Sequence, residues 1–188
     1  MLRRLAFVQV LALTVVACGN AQVKHPQLDA KSAQPLVVTS KTFAPNGWIP
    51  SRNSAYGANV SPDLTWSTAP ADTKSFAVVV FDQDAKPNGF YHWGVFNISP
   101  ETNQLPAGLA GTSRVSGTDS MQVKNGTGKV GYYGPHPPAG SAHHYHFTVY
   151  ALDQVVSLQP GTAIDHLLTR MAGHVLAKGE LVGLYRKR

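Results

Sequence analysis

The apolar positions of this chain fall into short runs separated by long polar stretches, and only one run has helical spacing. Ser75–Phe81 is apolar and β-branched at both parities, the pattern of a strand buried on both faces. It runs straight into Asp82-Gln83-Asp84. Tyr91–Ile98 predicts a neighbouring strand and His144–Leu152 a third. Shorter strands are expected at Leu36–Thr39 and Leu64–Trp66, and a last one across Val175–Ala177 and Leu181–Tyr185. Within Thr162–Ala172, Ile164, Leu167, Leu168 and Met171 recur at i, i+3, i+4, i+7. That is one apolar face of a helix, with Gly173 placed to end it. Many short strands and a single peripheral helix towards the C-terminus predict a mainly β domain, a sandwich or barrel.

Composition agrees. Charged residues are only 14% of the chain, while 17 glycines and 13 prolines supply turn signals. The length of 188 residues suits one domain with extra segments. The formal charge is +6, and Arg3 and Arg4 account for two of the positives. This balance favours small anionic ligands or anionic lipid heads. It lacks the dense basic stripe of a nucleic-acid binder. The tail Arg186-Lys187-Arg188 reads as a solvated end, and Trp48, Trp66 and Trp93 as core.

Residues 1–17 have the layout of an export signal. Arg3-Arg4 is followed by the apolar stretch Leu5–Val16, shorter than the roughly 20 residues that span a bilayer. The stretch ends in Val15-Val16-Ala17-Cys18, which resembles a bacterial lipobox. Cys18 is the only cysteine, so no internal disulfide can form. By this resemblance Cys18 becomes the lipidated first residue of an envelope lipoprotein, tethered to a membrane it does not enter. Cleavage after Ala21 would instead leave a soluble periplasmic or secreted chain. Residues 18–35 have no apolar period and are expected to form a flexible tether. The domain is expected over 36–188.

Candidate chemistry gathers at strand ends. These are Asp82 and Asp84, His92 inside an aromatic strand, the glycine- and proline-rich run Gly131–Gly140, and His143-His144-Tyr145. An imidazole can give one N–H to an anion while its other nitrogen faces a carboxylate. Asp82 or Asp84 could serve His92 or His143 in this way. Strand alternation puts His143 and Tyr145 on one face and His144 and His146 on the other. The second pair has a spacing that metals use, but no third ligand is fixed by the sequence, and neither a metal nor a cofactor is expected. Gly126–Gly131 spells G-x-G-x-x-G without the flanking strand and helix that give the motif meaning. It is read as a turn.

Several ordered blocks together resemble the phosphatidylethanolamine-binding protein family, in its bacterial Raf-kinase-inhibitor-like branch. They are Asn59–Trp66, Asp82–Ala85, His92-Trp93, Gly131–Pro138, His143–Tyr145, Gly173–Ala177 and Glu180–Gly183. The resemblance spans roughly 36–188. It implies a β-sandwich with a small pocket for phosphate, acetate or phosphorylethanolamine-like heads. Carried over by position, the ligand-binding residues are Asp82, His92, Pro137, Pro138, His143 and Tyr145, with Asp84 and Gly134 beside them. The chain departs from the family pattern at Gln83 and Lys86, where prolines are usual, and at His144, where arginine is usual. Lys86 adds a cation.

The function these observations imply is non-catalytic binding of a phosphoryl or other small anionic group, such as a phospholipid head, by an envelope regulator or inhibitor whose protein partner the sequence does not name. One alternative is a hydrolase using the Asp/His cluster, although no G-x-S-x-G elbow and no catalytic cysteine are present. The other is a protease or kinase inhibitor that works through its surface around a vestigial pocket.

Overall fold

The computed structural model describes residues 28–32 and 34–187. The expected export signal, Cys18 and most of the expected tether lie outside the described residues. Two sheets make the domain. The smaller joins β1 (Val38–Thr39), β3 (Leu64–Trp66) and β6 (Gln104–Leu105) in the order β1-β3-β6. The larger contains β2 (Gly47–Trp48), β4 (Ser75–Asp82), β5 (Phe90–Ile98), β7 (Met121–Gln122), β8 (His143–Leu152) and β9 (Val175–Tyr185). Its order is β2-β9-β8-β4-β5-β7, antiparallel throughout except that β2 runs parallel to β9. The one α-helix among the described residues, α1 (Ile164–Met171), lies on the outer face of the large sheet.

The double burial of β4 follows from alternation. Phe76, Val78 and Val80 face the inter-sheet core with Val38, Leu64, Trp66, Phe147 and Val149. Ala77 and Val79 face the opposite way, into a second core with Leu167, Leu168 and Met171 of α1. Gly94 in β5 lets the helix layer approach, because a Cβ there would press on Val123 and Ile164. Gly173 follows the helix at φ +81°, the left-handed position expected of it.

Three expectations are corrected. Residues upstream of Leu36 pack on the domain: Leu28 and Ala30 join the second core, and the Lys31 and Ser32 amides donate to the Val175 and Leu176 carbonyls. This strand edge needs covering, and the expected tether supplies the cover. Trp48 is 54% exposed rather than core, with the Arg186 guanidinium 5.3 Å above its ring. The tail is not simply solvated, since the Lys187 ammonium sits 4.8 Å over Tyr56. No helix among the described residues is long and apolar enough to cross a membrane.

Candidate functional site

The β4 alternation that sends Val78 and Val80 into the core also sends Asp82 there, at the strand's last position. In register beside it, Asp82 pairs with Tyr145 of β8. His92 arrives differently. Val80 pairs with Trp93 but Phe81 pairs with Tyr91, so His92 is the extra residue of a β-bulge. Bulges re-aim side chains next to sites. Here the bulge lets His92 meet Asp82 although the adjacent Trp93 also enters the inter-sheet core.

The result is a buried cluster. Asp82 is 3% exposed, His92 3% and Tyr145 0%. Asp82 Oδ1 accepts from the amides of Asp84 (2.9 Å) and Ala85 (3.2 Å). Its Oδ2 accepts from His143 Nδ1 at 2.8 Å and stands 4.0 Å from His92 Nε2. His92 Nδ1 donates to the Tyr133 carbonyl at 2.6 Å. Aromatic rings enclose His92: Tyr133 stacks on it with centroids 5.6 Å apart, while Phe90 and Tyr145 meet it edge-on. The Tyr145 hydroxyl lies beside Asp82 without reaching good hydrogen-bond geometry. Burial first, then the Asp82 charge, holds that phenol well above its ordinary range.

A cleft of about 480 Å³ opens over this cluster. Six of the eight expected ligand-binding residues line it: Asp82, Asp84, His92, Pro137, Pro138 and His143. Gly134 and Tyr145 are buried just behind the wall. Asp84 does not orient a pocket histidine. It holds His144, accepting from both its amide (2.7 Å) and its Nδ1 (2.8 Å). Burial pushes the Asp84 carboxyl up, but these bonds outweigh it and leave the group below its ordinary range. His146 likewise goes to Glu180, at 2.9 Å. The two histidines of the outer face therefore go to separate carboxylates and do not converge on one site.

The sequence reading missed Phe90 and Thr127 as lining residues, and it placed Tyr133 and His136 in the candidate run Gly131–Gly140 without singling them out. Thr127 belongs to the glycine run treated as a plain turn. Asn125 Oδ1 accepts from its amide and its hydroxyl, an Asx turn whose Asn-Gly-Thr letters are visible, though not its place against the cleft. Tyr56 braces the rim from outside. It stacks on His136 at 4.2 Å and donates to the Pro137 carbonyl at 2.7 Å. A larger hollow of about 800 Å³, bounded by Lys74, Asn97, Val115 and Asp119, includes no histidine.

Burial draws the His92 imidazole down to about 4, against the raising influence of the Tyr133 carbonyl, the Asp82 charge and the nearby Gly134 carbonyl. Unfolded, the ring titrates at its ordinary 6.5. Between those values the unfolded chain binds the extra proton, so stability falls as pH falls, by about 1.4 kcal/mol per unit. The wild type is expected to lose on the order of 2–3 kcal/mol more than His92→Gln between pH 7 and 4.5. Urea midpoints at the two pH values measure this. Equal losses in both proteins would show that His92 is not the buried neutral group.

The chain matches the family model described as phosphatidylethanolamine-binding protein over residues 39–186. It is 41% identical to a UPF0098 protein of Methanothermobacter thermautotrophicus over 145 residues, 77% of this chain and 95% of the relative. It is 38% identical to LppC of Mycobacterium tuberculosis, a candidate lipoprotein, over 162 residues, 83% of this chain and 75% of that one. Among solved structures, YbcL of E. coli, described as a member of the mammalian family of these proteins, superposes with a TM-score of 0.77. The identity is 30%, covering 82% of this chain and all of that one.

Proposed function

The chain belongs to the phosphatidylethanolamine-binding protein family, and on that footing we propose that its cleft binds phosphoryl head groups without turning them over. The observation that carries this reading is the pairing of His143 with the buried Asp82. It fixes the imidazole so that Nε2 is the nitrogen left for a ligand. His92 stands beside it, and Lys86 brings an ammonium to the same lining. A fixed imidazole and a cation at the mouth of a partly apolar cleft favour one compact anion. Pro137 and Pro138 stiffen the opposite wall and lower the cost of ordering it.

The protein acts at the cell envelope in this reading. Val15–Cys18 supports a lipid anchor, and the similarity to LppC supports the same placement. A bound head group would then regulate a protein partner.

The test is an NMR titration of ¹⁵N-labelled full-length protein in detergent micelles with phosphorylethanolamine. Saturable shifts are expected at Asp84, His92, His143 and the Gly131–Gly140 loop. His143→Ala should weaken binding by at least about tenfold, the loss of one charge-assisted hydrogen bond, and leave the remaining spectrum folded. Unchanged affinity in that variant would remove the cleft from consideration as the binding site.

A further inference from the structure

The hydrogen bonds that hold the two pocket histidines also fix which protons they can offer. A carbonyl oxygen only accepts, so His92 Nδ1 must carry its hydrogen to make the 2.6 Å bond to Tyr133. The neutral ring then has a bare lone pair at Nε2. The groups around that nitrogen do not supply a donor of good geometry. Asp82 of β4 is 4.0 Å away and is an acceptor. From β8, His143 spends its Nδ1 on Asp82, and the Tyr145 hydroxyl points beside the same carboxylate. Tyr133 and His136 come from the loop, the first stacked on the ring and the second exposed on the rim. Lys86 lies in the cleft lining, and the His92 side chain itself is only 4% exposed.

An acceptor in a site for anions is a specificity device. A fully ionised oxygen placed against a lone pair is repelled, whereas an oxygen that still carries a proton donates to it. Resting on the reading that the cleft takes phosphoryl groups, we infer that it selects phosphomonoesters and inorganic phosphate in their singly protonated form, and rejects phosphodiesters and sulfate. His92 is the specificity-determining residue. Monoesters hold a second proton up to about pH 6, while a diester, such as an intact phospholipid head, has none to give. Buried sites built around one hydrogen bond discriminate strongly, because the wrong ligand leaves the protein group unmatched. Burial supports the same picture by keeping the ring neutral down to about pH 4.

Calorimetry of the full-length chain in detergent would decide it, with phosphorylethanolamine, glycerophosphorylethanolamine and sulfate as probes at pH 6 and pH 8. At pH 6 the monoester is expected to bind at least about tenfold tighter than the other two. Its affinity should then fall by about tenfold for each pH unit above the ligand's ionisation. At pH 8, heats in two buffers should show about one proton taken up per ligand bound. Any pH effect shared with sulfate belongs to the other titrating groups, and only the excess belongs to His92. His92→Gln places an amide N–H where the lone pair was, so sulfate should gain affinity and the monoester should lose its advantage. If that variant does not fold, the wild-type comparison stands alone. Equal binding of all three probes with no proton uptake would overturn the inference and leave the phosphoryl reading standing. A preference for the diester would overturn it in favour of an intact lipid head. Binding of none would overturn both.

Discussion

Gly134→Ala is expected to destabilise this protein by about 3 kcal/mol or more, the upper range for forcing an atom into a packed interior. Gly134 is pressed against the turn after the short 3₁₀ helix Ser51–Asn53. A Cβ there would enter the contact shell of the Asn53 carbonyl oxygen and of the Ser54 backbone. Neither can step aside as a side-chain tip would. The Gly134 amide also donates to Asn59 Oδ1 at 2.7 Å, while Asn59 Nδ2 donates to the Tyr132 carbonyl. The strain would therefore spread along the loop that carries the Tyr133 carbonyl and Pro137, and phosphorylethanolamine binding should fall with stability. Urea unfolding measures the first effect and the NMR titration the second. Ala139→Ser, exposed on the same loop, is the control and should stay within about 0.5 kcal/mol of wild type. A Gly134→Ala protein as stable as that control would mean that the close approach is not a feature of the molecule.

Asp82→Ala comes next, at about 3–5 kcal/mol, because three donors gathered on one buried carboxylate lose their acceptor, at about 1–3 kcal/mol each. The substitution strands the amides of Asp84 and Ala85 and the Nδ1 of His143. Asp82→Asn separates geometry from charge. Its oxygen can keep the two amides, which leaves its NH₂ facing His143. Two donors cannot share that line, so His143 Nδ1 must give up its hydrogen and the ring's N–H must sit at Nε2. Long-range ¹H–¹⁵N correlation spectra of the imidazoles should show Nδ1 without its hydrogen, with a smaller stability loss of about 1.5–3 kcal/mol for the charged hydrogen bond. A His143 Nδ1 that keeps its hydrogen would show that Asp82 does not orient His143.

How much of this was visible beforehand differs from residue to residue. Asp82 was legible because it follows an apolar strand whose parity can be counted. His143 and Tyr145 were legible for the same reason, two apart on β8. The role of Asp84 was not. Asp82 and Asp84 have the same parity and the same chemistry, and only the turn after β4 decides that one faces His143 and the other His144. Trp48 was misplaced because bulk alone suggests burial. The cation that covers it comes from Arg186, at the far end of the chain.

By itself the sequence determined the β-rich layers, the amphipathic helix and the set of residues able to bind an anion. These depend on short-range periodicity and residue chemistry, which any stretch of chain carries with it. Tertiary structure alone decided the bulge that turns His92 toward Asp82, and the Tyr133 carbonyl that fixes its proton. It also brought Phe90, Thr127 and His136 to the same cleft. Those outcomes rest on pairing between segments tens of residues apart, for which no local pattern exists. Register and loop packing, not propensity, chose the hydrogen-bond partner of each histidine.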